Sequence, residues 1–158
     1  MLKGLMARSL FQQDLERLVE SEPLQQELGG NPLHCMAMIV MIDQFSRNIY
    51  RGTGDMFAND GLGYHWANHF LAQGWLTSIP SPMRPFAILP LEHHEGLAEQ
   101  QRAIALFEEI IRLEPADSVH TAFFRQGLDY AARHLKVIAQ FGRFPHRNPL
   151  LGRQNTAA

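Results

Sequence analysis

The 158 residues carry 14 Lys+Arg against 16 Asp+Glu, a formal charge of −2, and 46% of them are hydrophobic. That is enough apolar material for the core of one domain over 1–158, and too even a charge for a dedicated nucleic-acid binder. The lone cysteine, Cys35, excludes a disulfide framework. No apolar run reaches the ~18 residues of a membrane span, and Arg8 interrupts the stretch a signal peptide would need, so the chain reads as soluble and cytoplasmic.

Helical periodicity runs through the chain. From Leu5, the apolar positions Leu10, Phe11, Leu15, Leu18 and Val19 recur at spacings near three and four, until Pro23 and Gly29-Gly30 interrupt them. Asn31 can cap a helix that starts at Pro32, where a missing N–H costs nothing. That helix, to about Phe45, is apolar on every face and predicts a central buried element. A further helix spans about Asp60 to Gln73, with Leu62, Trp66, Phe70 and Leu71 on one side. Two prolines in Ile79-Pro80-Ser81-Pro82 oppose helix. Leu97 to Leu113 is amphipathic and stops at Pro115. Ser118 can cap a last helix, which Gly142 ends near Phe141.

No segment alternates as a strand does. The prediction is an all-α chain of five or six helices in antiparallel hairpins, as a bundle or a repeat-like array, with residues 154–158 a disordered tail. Ala103, Phe107 and Pro115 match the second half of a tetratricopeptide pattern, and Phe141 and Pro149 echo two of them 34 residues on, but the first half is missing.

Polar chemistry collects in three places. The first is Asp43 to Thr53, where Asp43, Arg47 and Arg51 follow at intervals of four and would share a helix side, with Asn48 between the arginines. Either Asp43 and Arg47 satisfy each other as a buried ion pair, or an arginine faces a cleft and holds an anion. The second is Pro90-Leu91-Glu92-His93-His94-Glu95. Its carboxylates suit an N-terminal helical turn, where the dipole favours them, but together with the imidazoles they could also do acid–base work. The spacing is poor for a metal, and none is expected.

The third place is Phe141 to Pro149. No acid follows Asp129, and residues 130–158 hold five basic side chains, whereas residues 87–117 hold seven acids and two arginines. The opposite tracts could simply attract each other. Alternatively, Gly142 and Pro145 stiffen a loop that presents Arg143, His146 and Arg147 to a carboxylate or phosphate. His65 and His69 are four apart, but Trp66 stands where a zinc-protease helix needs Glu, so they read as an ordinary helix face. Cys35 has no activating base nearby and reads as a buried, inert thiol.

In order, these stretches resemble a bacterial family known as domain of unknown function 924. The matching residues are Asp43 through Thr53, Pro90 through Glu95, Phe141 through Asn148 and Leu151-Gly152-Arg153, within a span of roughly 38–153. The resemblance implies an all-helical, tetratricopeptide-like fold and no particular activity. The family's usual N-terminal Trp-Phe segment is not found, so the chain reads as a shortened form.

Two functions follow. The first is a ligand- or peptide-binding domain whose Asp43, Arg47, Asn48, Arg51, Arg143 and Arg147 surround a small anionic ligand or an acidic peptide end. The other is a hydrolase or transferase with Glu92 or His93 and His146 as acid–base groups. Neither calls for a cofactor, nucleic acid or membrane.

Overall fold

In this computed structural model the backbone is described for residues 2–156 and side chains from Leu10 to Thr156; the side chain of Leu5 and residues 157–158 fall outside the described residues. Among the described residues the structure is helical with no strand, so the chain is all-α. It divides into two compact units, one up to Ser78 and the other from Ile79.

The first unit contains α1 (Leu2–Glu20), α2 (Glu22–Gly29), α3 (Pro32–Val40), a π-helical turn (Met41–Phe45), α4 (Ser46–Ile49) and α5 (Asp60–Ala72). The cap read from Asn31 is present: its Oδ1 accepts from the N–H groups of Leu33 at 2.9 Å and His34 at 3.2 Å, with Pro32 opening the helix. The core holds Leu15, Leu18, Cys35, Met36, Met38, Ile39, Ile42, Trp66 and Phe70. The α3 helix is not buried all round as its composition suggests. Leu33 stands 48% exposed, because one broad face is enough to close this core. Leu10 and Phe11 of α1 are likewise exposed, and Phe11 keeps an edge contact with Phe45 at 5.0 Å.

The second unit contains α6 (Arg84–Glu92), α7 (Leu97–Arg112) and α8 (Thr121–Phe141). Among the described residues there are seven helices if 32–49 is taken as one, against the five or six expected. The two additions, α2 and α6, are short and carry a proline in the first turn, where a proline starts a helix as readily as it breaks one. Helices α7 and α8 pack along each other, and Phe107 meets Gly127 at positions equally far from the connecting turn, as an antiparallel hairpin requires. A Cβ on Gly127 would run into the Phe107 ring, so glycine is what lets the two helices approach here. Gly142 adopts φ 66°, the left-handed stop expected of it, and its N–H closes on Ile138 O. Ser118 instead bonds Glu114 through its hydroxyl, and α8 begins after it at Thr121. No helix among the described residues is long and apolar enough to cross a membrane.

Candidate functional site

In the first unit the charged motif folds onto itself. Asp43 lies in the π-turn, 3% exposed, a winding often found where a helix carries a functional group. Arg47 Nη2 lies 3.4 Å from Asp43 Oδ1, while its Nη1 donates to Asp60 Oδ1 at 2.7 Å and Met56 O at 3.2 Å. Gln44 donates to the other oxygen of Asp43 at 2.6 Å. Arg51 is exposed and donates to Asn48 Oδ1 at 2.9 Å; Asn48 in turn donates to Gln44 O at 2.8 Å. A cavity of about 310 Å³ lies beside this motif, lined by Leu15, Glu16, Val19 and Tyr50. His69 Nε2 lies 3.1 Å from Gly29 O, a structural contact, and His65 is exposed. Cys35 is fully buried, and burial pushes its thiol up to about 11, as an inert core thiol requires. Among the described residues no three potential metal ligands gather.

In the second unit the other two motifs meet. Glu95 accepts from Arg153 with both oxygens, at 2.6 and 2.8 Å, and from Phe144 N–H at 2.8 Å. Burial alone would raise its carboxyl. The hydrogen bonds from Arg153 and Phe144, with the charges of Arg153 and Arg147, outweigh that and hold it below the usual 4.5. Arg147 is buried, donates to His93 O at 2.8 Å and lies 4.7 Å over the Phe144 ring. His146 is exposed, and its ring is 5.5 Å from that of Phe144. Partial burial, then the neighbouring charges of Arg147 and His134, keeps its imidazole below 6.5. Arg143 is half-buried. Of the expected tail, Gln154 O and Asn155 Oδ1 both accept from Asn148.

A folded Glu95 ionises below its unfolded value near 4.5, so its pair stabilises the fold fully above that pH and less as the pH falls below it. Glu95→Gln is expected to cost about 2 kcal/mol at neutral pH. In denaturant titrations the gap to wild type should narrow below pH 4.5; a gap that stays constant into acid would count against the pair.

Glu92 is one of the buried groups, with Arg47, Gln100, His134 and Arg147, that keep a polar atom without a hydrogen-bond partner. The motif was read as an N-terminal turn, yet Glu92 ends α6, where the helix dipole disfavours a carboxylate. Gln100, fully buried on α7, caps that end by donating to Glu92 O at 2.7 Å and His94 O at 2.6 Å. The Glu92 residue is 3% exposed. One oxygen lies 2.7 Å from His134 Nδ1 without forming a hydrogen bond, and Oε2 has no hydrogen-bond partner. Such a group is costly to bury. Glu92 also lines a cavity of about 270 Å³ walled by Phe86 and Leu89 of α6, Phe107 of α7, and Phe123 and Tyr130 of α8. Phe123 and Tyr130 are each 49% exposed.

His134 was not among the candidates. The sequence does hold a signal for it: it lies three residues after Ala131 and four before Ile138, both buried, so it falls on the inner stripe of α8. Its ring also meets Phe144 edge-on at 5.1 Å.

The family model described as "Bacterial protein of unknown function (DUF924)" matches residues 5–158, and the chain belongs to that family. It is also similar to a solved structure, a protein of unknown function, ATU0120, from Agrobacterium tumefaciens. The two are 28% identical, with a TM-score of 0.77 over 97% of this chain and 80% of that one. No curated protein matches the chain.

Proposed function

For a member of this bacterial family we propose a small-molecule-binding role, with the ligand's apolar body in the cavity between α6, α7 and α8 and its polar group on Glu92. One observation carries the reading: a carboxylate buried at the wrong end of a helix, one oxygen unpartnered, lining an aromatic cavity. A group held at such cost to the fold is best accounted for by a ligand that completes it. The cavity, about 270 Å³, falls just below the range for small-molecule sites, roughly 300–1,000 Å³, and so suits a compact ligand. The α7–α8 hairpin supports a helical-repeat-like scaffold of the tetratricopeptide kind. An anion held by Arg47, Arg51, Arg143 and Arg147 ranks lower, because Arg47 already faces two carboxylates and Arg147 a carbonyl.

Thermal-shift screening with small aromatic compounds tests this. A ligand at 100 times its Kd should add about 2.7 kcal/mol of stability. Gln126 is exposed and lines the cavity, so Gln126→Trp should crowd it without disturbing the core, and should abolish the shift. If no compound stabilises the wild type, or Gln126→Trp responds equally, the reading is wrong.

A second reading rests on the 2.7 Å approach of Glu92 to His134, which makes that pair the acid–base candidate of a hydrolase. It requires turnover of an activated ester that His134→Gln lowers by about 100-fold or more.

A further inference from the structure

We propose that the ligand of the α6–α8 cavity is a small organic cation, an ammonium group carried on an apolar or aromatic body. This rests on the binding role given above and names the chemistry of the ligand.

Three independent features point the same way. Among the described residues lining the cavity, Glu92 alone carries a formal charge, and it is negative. An anionic ligand would meet that carboxylate in a setting where like charges repel strongly. A neutral one would bring it no charge beyond that of the neighbouring His134 imidazole. The walls supply the aromatic rings of Phe86, Phe107 and Phe123, with Tyr130, over which Arg133 already lies at 5.3 Å. The faces of such rings attract cations, most strongly where water is excluded. Finally, Glu92 stands on the last turn of α6, the end where the helix dipole favours positive charge.

The two oxygens of Glu92 divide the work. One lies 2.7 Å from His134 Nδ1, and Oε2, which has no hydrogen-bond partner, remains as an acceptor for an ammonium N–H. The arrangement suits a compact amine whose charge lies at one end, since Glu92 is buried while Phe123 and Tyr130 are half-exposed.

The test compares three molecules of one skeleton: phenethylamine, 2-phenylethanol and phenylacetate. Calorimetry and thermal shift are run on the full chain, on Glu92→Gln and on Gln126→Trp. The amine is expected to bind the wild type about tenfold or more tighter than the alcohol. Glu92→Gln should remove that preference while leaving alcohol binding in place, and Gln126→Trp should weaken both. Equal binding of amine and alcohol would overturn the cation and leave the binding role standing. Tightest binding of phenylacetate would overturn it in favour of an anion site. If none of the three binds at millimolar concentration, the cavity reading fails with it. Should Glu92→Gln not fold, the wild-type contrast between amine and alcohol decides alone.

Discussion

Arg47→Met is expected to lower the unfolding free energy by about 3–5 kcal/mol, because it removes a cation and its hydrogen bonds from beside a buried acid. Asp43 is 3% exposed, and Arg47 lies beside it, held also by Asp60 and Met56 O. Methionine keeps much of the side-chain volume, so the loss reports charge and hydrogen bonding more than packing. The Gln44 amide still holds Asp43 Oδ2, but it brings no charge. Adding Asp43→Asn should return part of the loss, with a coupling of about 1–3 kcal/mol in a double-mutant cycle. Urea denaturation of the four proteins measures it. A loss under about 1 kcal/mol would mean that Arg47 is free for another role, which would restore the anion-receptor reading of this motif.

Phe107→Ala should cost about 3–5 kcal/mol, the range for deleting a buried aromatic ring. Phe107 is 1% exposed and fills the space that Gly127 leaves on α8. The same pair predicts a reversal of sign. Gly127→Ala alone should destabilise, since its methyl would collide with the ring. On the Phe107→Ala background that methyl meets open space, and alanine gains about 1 kcal/mol in helix propensity over glycine. The second substitution should then stabilise. Because Phe107 also walls the cavity, the single variant should accept bulkier compounds in the thermal-shift screen. Equal effects of Gly127→Ala on both backgrounds would contradict the packing described for this hairpin.

Much of the fold could be read from residues because its signals are local. Asn31-Pro32 and Gly142 act through backbone geometry within one turn, and the α7 stripe of Ala103, Phe107 and Ile110 is buried as its spacing requires. Helix α6 was not expected between the Pro80-Ser81-Pro82 turn and Leu97, a stretch that holds Pro85 and Pro90. Pro85 occupies the first turn, where its missing N–H is harmless, and the helix is short enough to tolerate Pro90 near its end. Missing α6 turned Glu92 round, from the start of a helix to the end of one.

The pairing of the second and third motifs was anticipated as mutual attraction of opposite tracts, and Glu95 with Arg153 realises it. The identity of that arginine was not, because only the fold of residues 142–153 decides which side chain reaches back. Glu92 was a candidate from composition alone. Its partner His134 and the aromatic walls come from three helices, and no spacing along the chain encodes their meeting.

A crystal structure with phenethylamine bound puts the role of Glu92 to its most direct test. The amine nitrogen should lie within hydrogen-bond distance of the Glu92 carboxylate, with the ring among Phe86, Phe123 and Tyr130. A ring seated in the cavity with its nitrogen turned out to solvent, or an amine bound elsewhere on the protein, would contradict it.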